Sequence, residues 1–245
     1  QARDARDGGP MTAPTPPSSP RVRSGRSSFV VAIDGPAASG KSSTAQWVAE
    51  RLGFRHVDSG ALYRAATAVA LERSGESFDE PAVLAGAQQI SLQPVQHSFV
   101  PVWRGAEMEA MIRAPEVTRQ VSRVAQMQGV RAWVNAHVRL AAEGQHVVVD
   151  GRDIGTVVFP AADLKVFLVA DPWERARRRL IQRLERSPSD SEIAEETERL
   201  VQRDARDATQ TVQAKDAVLI DTTYLTQEEQ VERIVSLVRV LRPGL

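Results

Sequence analysis

The stretch FVVAIDGPAASGKSS, residues 29–43 of the 245-residue chain, decides the fold. It begins with an apolar run that predicts a buried strand, continues with the spacing G-x-x-x-x-G-K-S, and opens into a helical pattern. Glycines let the backbone curl so that its N–H groups point at phosphate oxygens, Lys41 supplies a mobile positive charge, and the Ser42 hydroxyl is suited to Mg²⁺. The stretch therefore predicts a phosphate-binding loop between a strand and a helix. The alternative is a glycine-rich turn without a ligand.

The composition limits the class of protein. Hydrophobic residues make up 42% of the chain and charged residues 25%, which is enough for one large domain with insertions. Lys+Arg and Asp+Glu balance at 31 each, whereas nucleic-acid and membrane-surface binders usually carry a large positive excess. There is no cysteine, and the four histidines are scattered without a zinc spacing. We expect a cytoplasmic monomer with neither a nucleic-acid nor a membrane partner.

The N-terminal residues 1–28 read as a disordered tail. They hold five of the 14 prolines and almost no apolar side chains, so they cannot bury enough surface to offset the entropy of ordering. Asp4, Asp7 and the prolines argue against a transit peptide. Met11 is a candidate for an alternative start.

Residues 29–245 alternate strand and helix patterns. Strands are expected at 29–33, 54–57, 146–150, 164–170 and 217–220, and helices at 43–52, 61–74, 115–143, from 172 onward and at 227–241. This order predicts an α/β fold, a five-stranded parallel sheet with helices on both faces. Between residues 90 and 112, short alternating stretches broken by Pro94, Pro101 and Gly105 predict a small antiparallel insert.

A second group of charges lies at predicted loop and helix ends. Its members are Arg64, Arg131, Arg152, Arg203 and Arg206 with Asp153 and Asp207. Arginine forks grip phosphate bidentately, and two facing phosphate sites are what phosphoryl transfer requires. The other interpretation makes Arg64 and Arg131 plain surface charges and residues 175–186 a solvated helix face. His56 reads as a packing residue.

Five blocks in one order carry a resemblance to a known family. They are IDGPAASGK at 33–41, DSGALYR at 58–64, IRAPEV at 112–117, DGRDIGTVVFP at 150–160 and RDARD at 203–207. Over about residues 29–241 the chain resembles bacterial cytidylate kinases, nucleoside monophosphate kinases that act on CMP and dCMP. The resemblance implies a P-loop fold with a nucleoside-monophosphate-binding region at about 58–131, enlarged by the insert at 90–112, and a short lid at about 178–190.

The resemblance also implies the reaction and the residues that perform it. ATP would give its γ-phosphoryl group to CMP or dCMP, with Mg²⁺ as cofactor. The ATP phosphates would be held by Gly35, Pro36, Ala37, Ala38, Ser39, Gly40, Lys41, Ser42 and Ser43. Ser42 would bind Mg²⁺ directly and Asp150 through water, and the catalytic residues would be Lys41, Asp150, Arg178 and Arg179.

The resemblance assigns the acceptor nucleotide to a second set of residues. CMP would contact Ser59, Tyr63, Arg64, Ser122, Arg131, Arg152, Asp153, Arg203 and Asp207. Within this set, Ser122, Arg131 and Asp153 would read the cytosine edge. Arg203 and Asp207 would bind the ribose hydroxyls.

One place departs from the family pattern. Three positions after Asp207 the family usually has another arginine, and here that residue is Gln210; the segment 210–216 is also shorter. Our hypothesis is that Gln210 weakens a phosphate contact without abolishing activity.

Two rival functions stay open at this point. One is a P-loop kinase of another small metabolite, such as shikimate or a different monophosphate, against which the Ser122, Arg131 and Asp153 set argues. The other is a regulatory or interaction protein that uses ATP as a switch. Slow turnover with every acceptor would favour the second rival.

Overall fold

The computed structural model describes residues 28–243, so the expected tail lies outside the described part except for Ser28. The strands are β1 Val30–Asp34, β2 Arg55–Asp58, β3 Ile90–Val95, β4 Ser98–Trp103, β5 Ala106–Glu107, β6 Val147–Gly151, β7 Leu164–Val169 and β8 Val218–Asp221. The helices are α1 Lys41–Leu52, α2 Ser59–Ser74, α3 Glu80–Ala87, α4 Glu109–Ile112, α5 Pro115–Val124, α6 Gln128–Ala142, α7 Pro172–Leu184, α8 Asp190–Asp207 and α9 Gln227–Leu241. A π-helical turn covers Ile154–Val158.

Within the described residues, all eight strands belong to one sheet. Its order is β3-β4-β2-β6-β1-β7-β8, with β5 paired to β4. The five neighbouring strands β2, β6, β1, β7 and β8 run parallel to one another, which confirms the α/β P-loop fold with a five-stranded parallel sheet. Asp34 at the end of β1 pairs with Gly151 on β6, and Asp150 pairs with Asp58 at the end of β2. The carboxyl ends of these strands therefore meet at one edge, where open α/β sheets bind their ligands.

Helices cover both faces of this sheet. Val147 and Val149 of β6 pack into a core with α2, α3 and α6, whereas Val148 packs into a second core with α1 and α9. Successive side chains of a strand point to opposite faces, so a continuous valine run serves both cores. Helix α9 spans the expected residues 227–241 and begins at a capping box formed by Thr226 and Glu229.

The antiparallel insert is also present. Strands β3 and β4 pair antiparallel over their whole lengths, and β4 joins the parallel sheet where Ser98 pairs with His56 of β2. The expectation that residues 107–112 continue the alternating pattern was wrong, because Glu109–Ile112 form a helical turn. Met108 and Ile112 are both buried and lie four residues apart, which is the helical spacing.

Two further helical expectations need correction. The expected single helix at 115–143 is interrupted between α5 and α6, where Ala125 accepts hydrogen bonds from the side chains of Arg131 and Gln210. Helix α3 was not anticipated, although Asp79 caps it and Pro81 lies in its first turn. The expected lid, residues 178–190, corresponds to the second half of α7, the connection after it and the first residue of α8. From residue 28 to residue 243, no helix combines the length and apolarity that a membrane span requires.

Candidate active site

The phosphate loop connects β1 to α1. Gly35 has φ +150°, and a Cβ at this position would lie 2.2 Å from a carbonyl oxygen of β7, so only glycine fits. Gly40 has φ +88° and leads into α1. Lys41 is buried, and its Nζ donates to the Pro36 carbonyl at 2.6 Å. Burial and the charge of Arg152 lower the pKa of Lys41 well below its ordinary value. An anion bound beside Lys41 would therefore stabilise the charged form of its side chain.

Asp150 lies beside this loop at the end of β6, and both its oxygens are held. Ser42 Oγ donates to Oδ2 and His56 Nε2 contacts Oδ1, each at 2.7 Å. Burial raises the pKa of Asp150, but the hydrogen bonds from His56 and Ser42 outweigh it and hold the pKa below its ordinary value. Conversely, burial lowers the pKa of His56 and Asp150 outweighs it, so that pKa is raised. His56 is therefore an ordered partner of Asp150, a contact that the sequence interpretation missed.

The oxygens of Ser42 and Asp150 suit Mg²⁺. This cation prefers hard oxygen ligands and keeps several of its waters, so one hydroxyl and one carboxylate beside bound phosphates are enough to hold it. In the described part of the chain, no three His, Cys, Asp or Glu side chains cluster as a metal site. The donor set fits an ion shared with phosphates rather than an all-protein cage.

A cleft opens on the other side of the strand ends, between α2, α5, α6 and α8. We call it the arginine cleft. Its lining residues are Ser59, Gly60, Tyr63, Arg64, Val121, Ser122, Ala125, Arg131, Gly151, Arg152, Asp153, Arg203, Asp207 and Gln210. All nine residues that the resemblance assigned to the acceptor lie in this lining. Arg206 does not, because it is exposed and its Nε donates to the Gln202 carbonyl on its own helix.

The carboxylates of the arginine cleft are shared among its arginines. Asp153 forms an ion pair with Arg131. Asp207 Oδ2 lies 3.6 Å from Arg152 Nε and 3.7 Å from Arg203 Nε, which is beyond hydrogen-bond distance. Both of these Nε atoms are buried and have no hydrogen-bond partner among residues 28–243. Buried donors without partners are rare in folded proteins, and here they face a space that an anion could occupy.

Five cations of the phosphate loop, the arginine cleft and α7 are close enough for their charges to act on one another. This cation cluster consists of Lys41, Arg64, Arg152, Arg179 and Arg203. Burial and then the charges of Arg152 and Arg64 lower the pKa of Arg203 to about 10. Burial also lowers the pKa of Arg64, and Arg179 adds to this effect. The cluster therefore holds mutually repelling charges that a polyanion would relieve.

The two arginines expected to act from the lid are placed differently. Arg179 belongs to the cation cluster, and its Nε lies 3.0 Å from Glu196 on α8. Arg178 donates to the carbonyls of Thr222 and Thr223 at 2.6 and 2.7 Å, beyond the end of β8. The charge of Arg179 therefore acts on Arg64 and Arg203 of the arginine cleft, whereas Arg178 is held by backbone carbonyl groups.

A phosphate loop and an arginine-lined cleft facing each other across one sheet edge define a P-loop phosphotransferase with a donor half and an acceptor half. Residues 31–240 match the cytidylate kinase family. The chain belongs to this family and is an enzyme, a kinase.

Individual relatives support this membership. The cytidylate kinase of Geobacillus kaustophilus (strain HTA426) is 46% identical over 213 residues, covering 85% of this chain and 95% of that protein. The cytidylate kinase of Shouchella clausii (strain KSM-K16) is 42% identical over 218 residues, covering 86% and 96%. Among solved structures, the shikimate kinase of Bacteroides thetaiotaomicron is similar at 14% identity and a TM-score of 0.44, covering 87% and 97%.

Proposed function

We propose that the chain transfers the γ-phosphoryl group of ATP to CMP or dCMP, giving ADP and CDP or dCDP. The observation that carries this proposal is the cation cluster, which joins Lys41 of the phosphate loop to the arginines that line the arginine cleft. Phosphoryl transfer depends mainly on aligning two phosphates and stabilising charge spread over their oxygens. A cluster shared by two facing anion sites provides both.

The phosphate loop forms the ATP half of the site. Backbone N–H groups between Gly35 and Ser43 and the positive end of α1 bind the phosphates. Pro36 has no N–H, and the N–H of Ala37 donates to Asp204, so these two residues shape the loop around the phosphates. Lys41, released from the Pro36 carbonyl, follows the transferring group. Ser42 would hold Mg²⁺ directly and Asp150 would hold it through water, and the bound ion would supply positive charge next to the ATP oxygens. His56 orients Asp150 for this role.

The arginine cleft forms the CMP half. Arg64, Arg131 and Arg152 grip the phosphate together with Ser59, and Tyr63 lines the same wall. Asp153 accepts from the cytosine amino group, and Ser122 and Arg131 complete the reading of the base edge. Arg203 and Asp207 bind the ribose hydroxyls.

Arg178 and Arg179 stabilise the transferring group from the lid, and Arg179 already lies within the cation cluster. No general base is needed, because the acceptor phosphate is already an anion. The balanced net charge argues against a nucleic-acid or membrane-surface partner, and we propose a cytoplasmic monomer.

The test is ADP formation with Mg-ATP and, separately, CMP, dCMP, UMP, AMP and shikimate. We expect fast turnover only with the cytosine nucleotides and a 10²- to 10³-fold lower kcat in Lys41→Ala, since a central charge is lost (order of magnitude). The exposed Lys215→Ala is the matched control and should behave as wild type. Asp153→Ala should reduce the preference for CMP over UMP by roughly 10- to 100-fold, because a paired base contact is removed. Equal turnover with shikimate, or no acceptor-dependent turnover, would overturn the proposal.

A further inference from the structure

Ala37 in the phosphate loop is gripped by two charged side chains from α7 and α8. Asp204 Oδ1 accepts from the Ala37 N–H at 3.2 Å, and Arg175 Nη1 donates to the Ala37 carbonyl at 2.8 Å. The same Arg175 nitrogen donates to Asp204 Oδ2 at 2.7 Å, and its Nε donates to the Ala170 carbonyl at 3.1 Å. Both backbone polar groups of one loop residue are thus bound by one ion pair, which we call the loop clamp.

The loop clamp is buried and packed. Only 4% of Arg175 is exposed, so its charge depends on Asp204 for compensation. Ala37, 2% exposed, packs into an apolar cluster between the same two helices, formed with Ala176, Leu180, Ile193 and Leu200. Apolar packing and charged hydrogen bonds therefore fix the same point of the loop to the α7 and α8 pair.

Helix α8 also reaches the arginine cleft. Arg203 and Asp207 flank Asp204 on this helix, and both line the cleft. Asp204 and Asp207 lie three residues apart, so one turn of α8 contacts the phosphate loop and the cleft together. Neither Arg175 nor Asp204 lines the cleft itself. They touch the loop and not the acceptor space, which defines a positioning role.

We propose that Arg175 and Asp204 are positioning residues that set the distance between the donor loop and the acceptor cleft, so that ATP bound to the loop and CMP bound to the cleft influence each other through α8. This inference rests on the proposed function. A displacement of about 1 Å between reacting groups costs on the order of 10²-fold in rate, so a clamp at the loop has a large effect on turnover. It has little effect on CMP binding alone, because the cleft keeps all its side chains.

The test uses Asp204→Asn, which keeps the shape and one acceptor oxygen but removes the charge that compensates Arg175. Arg175→Lys keeps the charge and loses the fork. Glu198→Gln is the matched control, because Glu198 is an exposed carboxylate on the same helix. For each protein we would measure kcat, the melting temperature, the Kd of a non-hydrolysable ATP analogue, and the Kd of CMP with and without that analogue.

We expect Asp204→Asn to lower kcat by 10- to 100-fold, to weaken analogue binding several-fold and to leave the Kd of CMP alone within twofold (order of magnitude). The analogue should also lose its influence on CMP affinity, a change that a purely structural role would not produce. The inference would be overturned if Asp204→Asn had a kcat within twofold of that of Glu198→Gln and if the ATP analogue changed the Kd of CMP to the same extent, within twofold, in both variants. If Asp204→Asn fails to fold, Arg175→Lys decides by the same criteria. Absence of CMP-dependent turnover in the wild type would instead refute the proposed function, while analogue binding would still report on the clamp.

Discussion

Asp34, the last residue of β1, offers the sharpest test of how the site is held. Its two carboxylate oxygens accept from the backbone N–H groups of Ile154 and Gly155 at 2.8 and 2.7 Å. These residues start the π-helical turn that follows Asp153. The carboxylate therefore fixes the turn that presents the proposed base-reading group.

The replacement Asp34→Asn changes stability in a pH-dependent way. Burial, followed by the charge of Asp153, raises the pKa of Asp34 to about 6 from 3.8. A raised carboxyl pKa contributes stability that is complete below pH 3.8 and is lost as the pH rises through 6. At 1.36 kcal/mol per pKa unit the whole effect is about 3 kcal/mol, of which about 1.4 kcal/mol falls between pH 5 and pH 8.

Asparagine cannot titrate, so the variant lacks this slope. It also leaves one buried N–H facing the side-chain amide, at a cost of about 1–3 kcal/mol. We therefore expect Asp34→Asn to be less stable than the wild type at pH 5, with the difference shrinking by about 1.4 kcal/mol at pH 8. Because Asp153 loses its support, selectivity for CMP over UMP should fall at pH 8.

Urea unfolding of both proteins at pH 5, 6, 7 and 8, followed by circular dichroism, measures the stability difference. Comparison between the two proteins cancels the other titrating groups, including Asp58, whose pKa burial and the charge of Asp150 also raise to about 6. A stability difference that does not change with pH would refute the assigned pKa. Unchanged base selectivity would refute the positioning of Asp153.

Three further predictions concern the loop, the metal and the departure from the family. Gly35→Ala should destabilise the fold by about 3 kcal/mol or more in urea unfolding, because its Cβ would overlap a carbonyl, whereas Gly53→Ala, with open space around it, should cost only about 1 kcal/mol. Chelation by EDTA should abolish ADP formation. His56→Phe should raise the Mg²⁺ concentration needed for half-maximal rate and also lower the melting temperature, because the buried Asp150 loses a hydrogen-bond partner; an unchanged Mg²⁺ requirement would contradict the role of His56. Gln210→Arg should raise kcat/KM for CMP severalfold, since it adds a cation to the arginine cleft, and no change would reject our hypothesis for this position.

Local sequence signals predicted the parts of the fold that local interactions control. The phosphate loop needs its glycines for backbone reasons, and α9 carries both a helical apolar period and a capping box, so both were identified with correct bounds or nearly so. The break between α5 and α6 has only a weak local signal, Gly129 in the first turn of α6. Ala125, Gln126 and Met127 all tolerate a helix, and the break is held by contacts from Glu80, Arg131 and Gln210 instead. Only the folded chain brings these groups together.

The candidate site likewise contains residues that the sequence revealed and residues that it did not. The charged members of the proposed acceptor set stood out in the sequence because charged side chains at strand and helix ends are costly to place there without a partner. Ser59, Tyr63 and Ser122 were assigned only through the family resemblance. Arg175 was part of a helix that read equally well as a solvated face, and nothing in the local pattern separates it from the exposed Arg177. Its partners are a loop carbonyl 138 positions away and Asp204, 29 positions away.

The missed residues share a physical character that explains why they were missed. Asp34, Arg175 and Asp204 each bind backbone groups of a loop, and no residue type in the sequence marks those backbone partners. Arg175 and Asp204 also pair with each other, but they lie 29 positions apart on different helices, so the local pattern does not show that pairing either. Backbone groups are the same at every position, and only the topology decides which one a side chain meets. The residues proposed to contact substrate have charged or polar side chains that the sequence shows directly. By contrast, the contacts that hold the phosphate loop and the Asp153 turn in place depend on which backbone groups the topology brings near Asp34, Arg175 and Asp204. The stability and coupling measurements above are directed at these three residues.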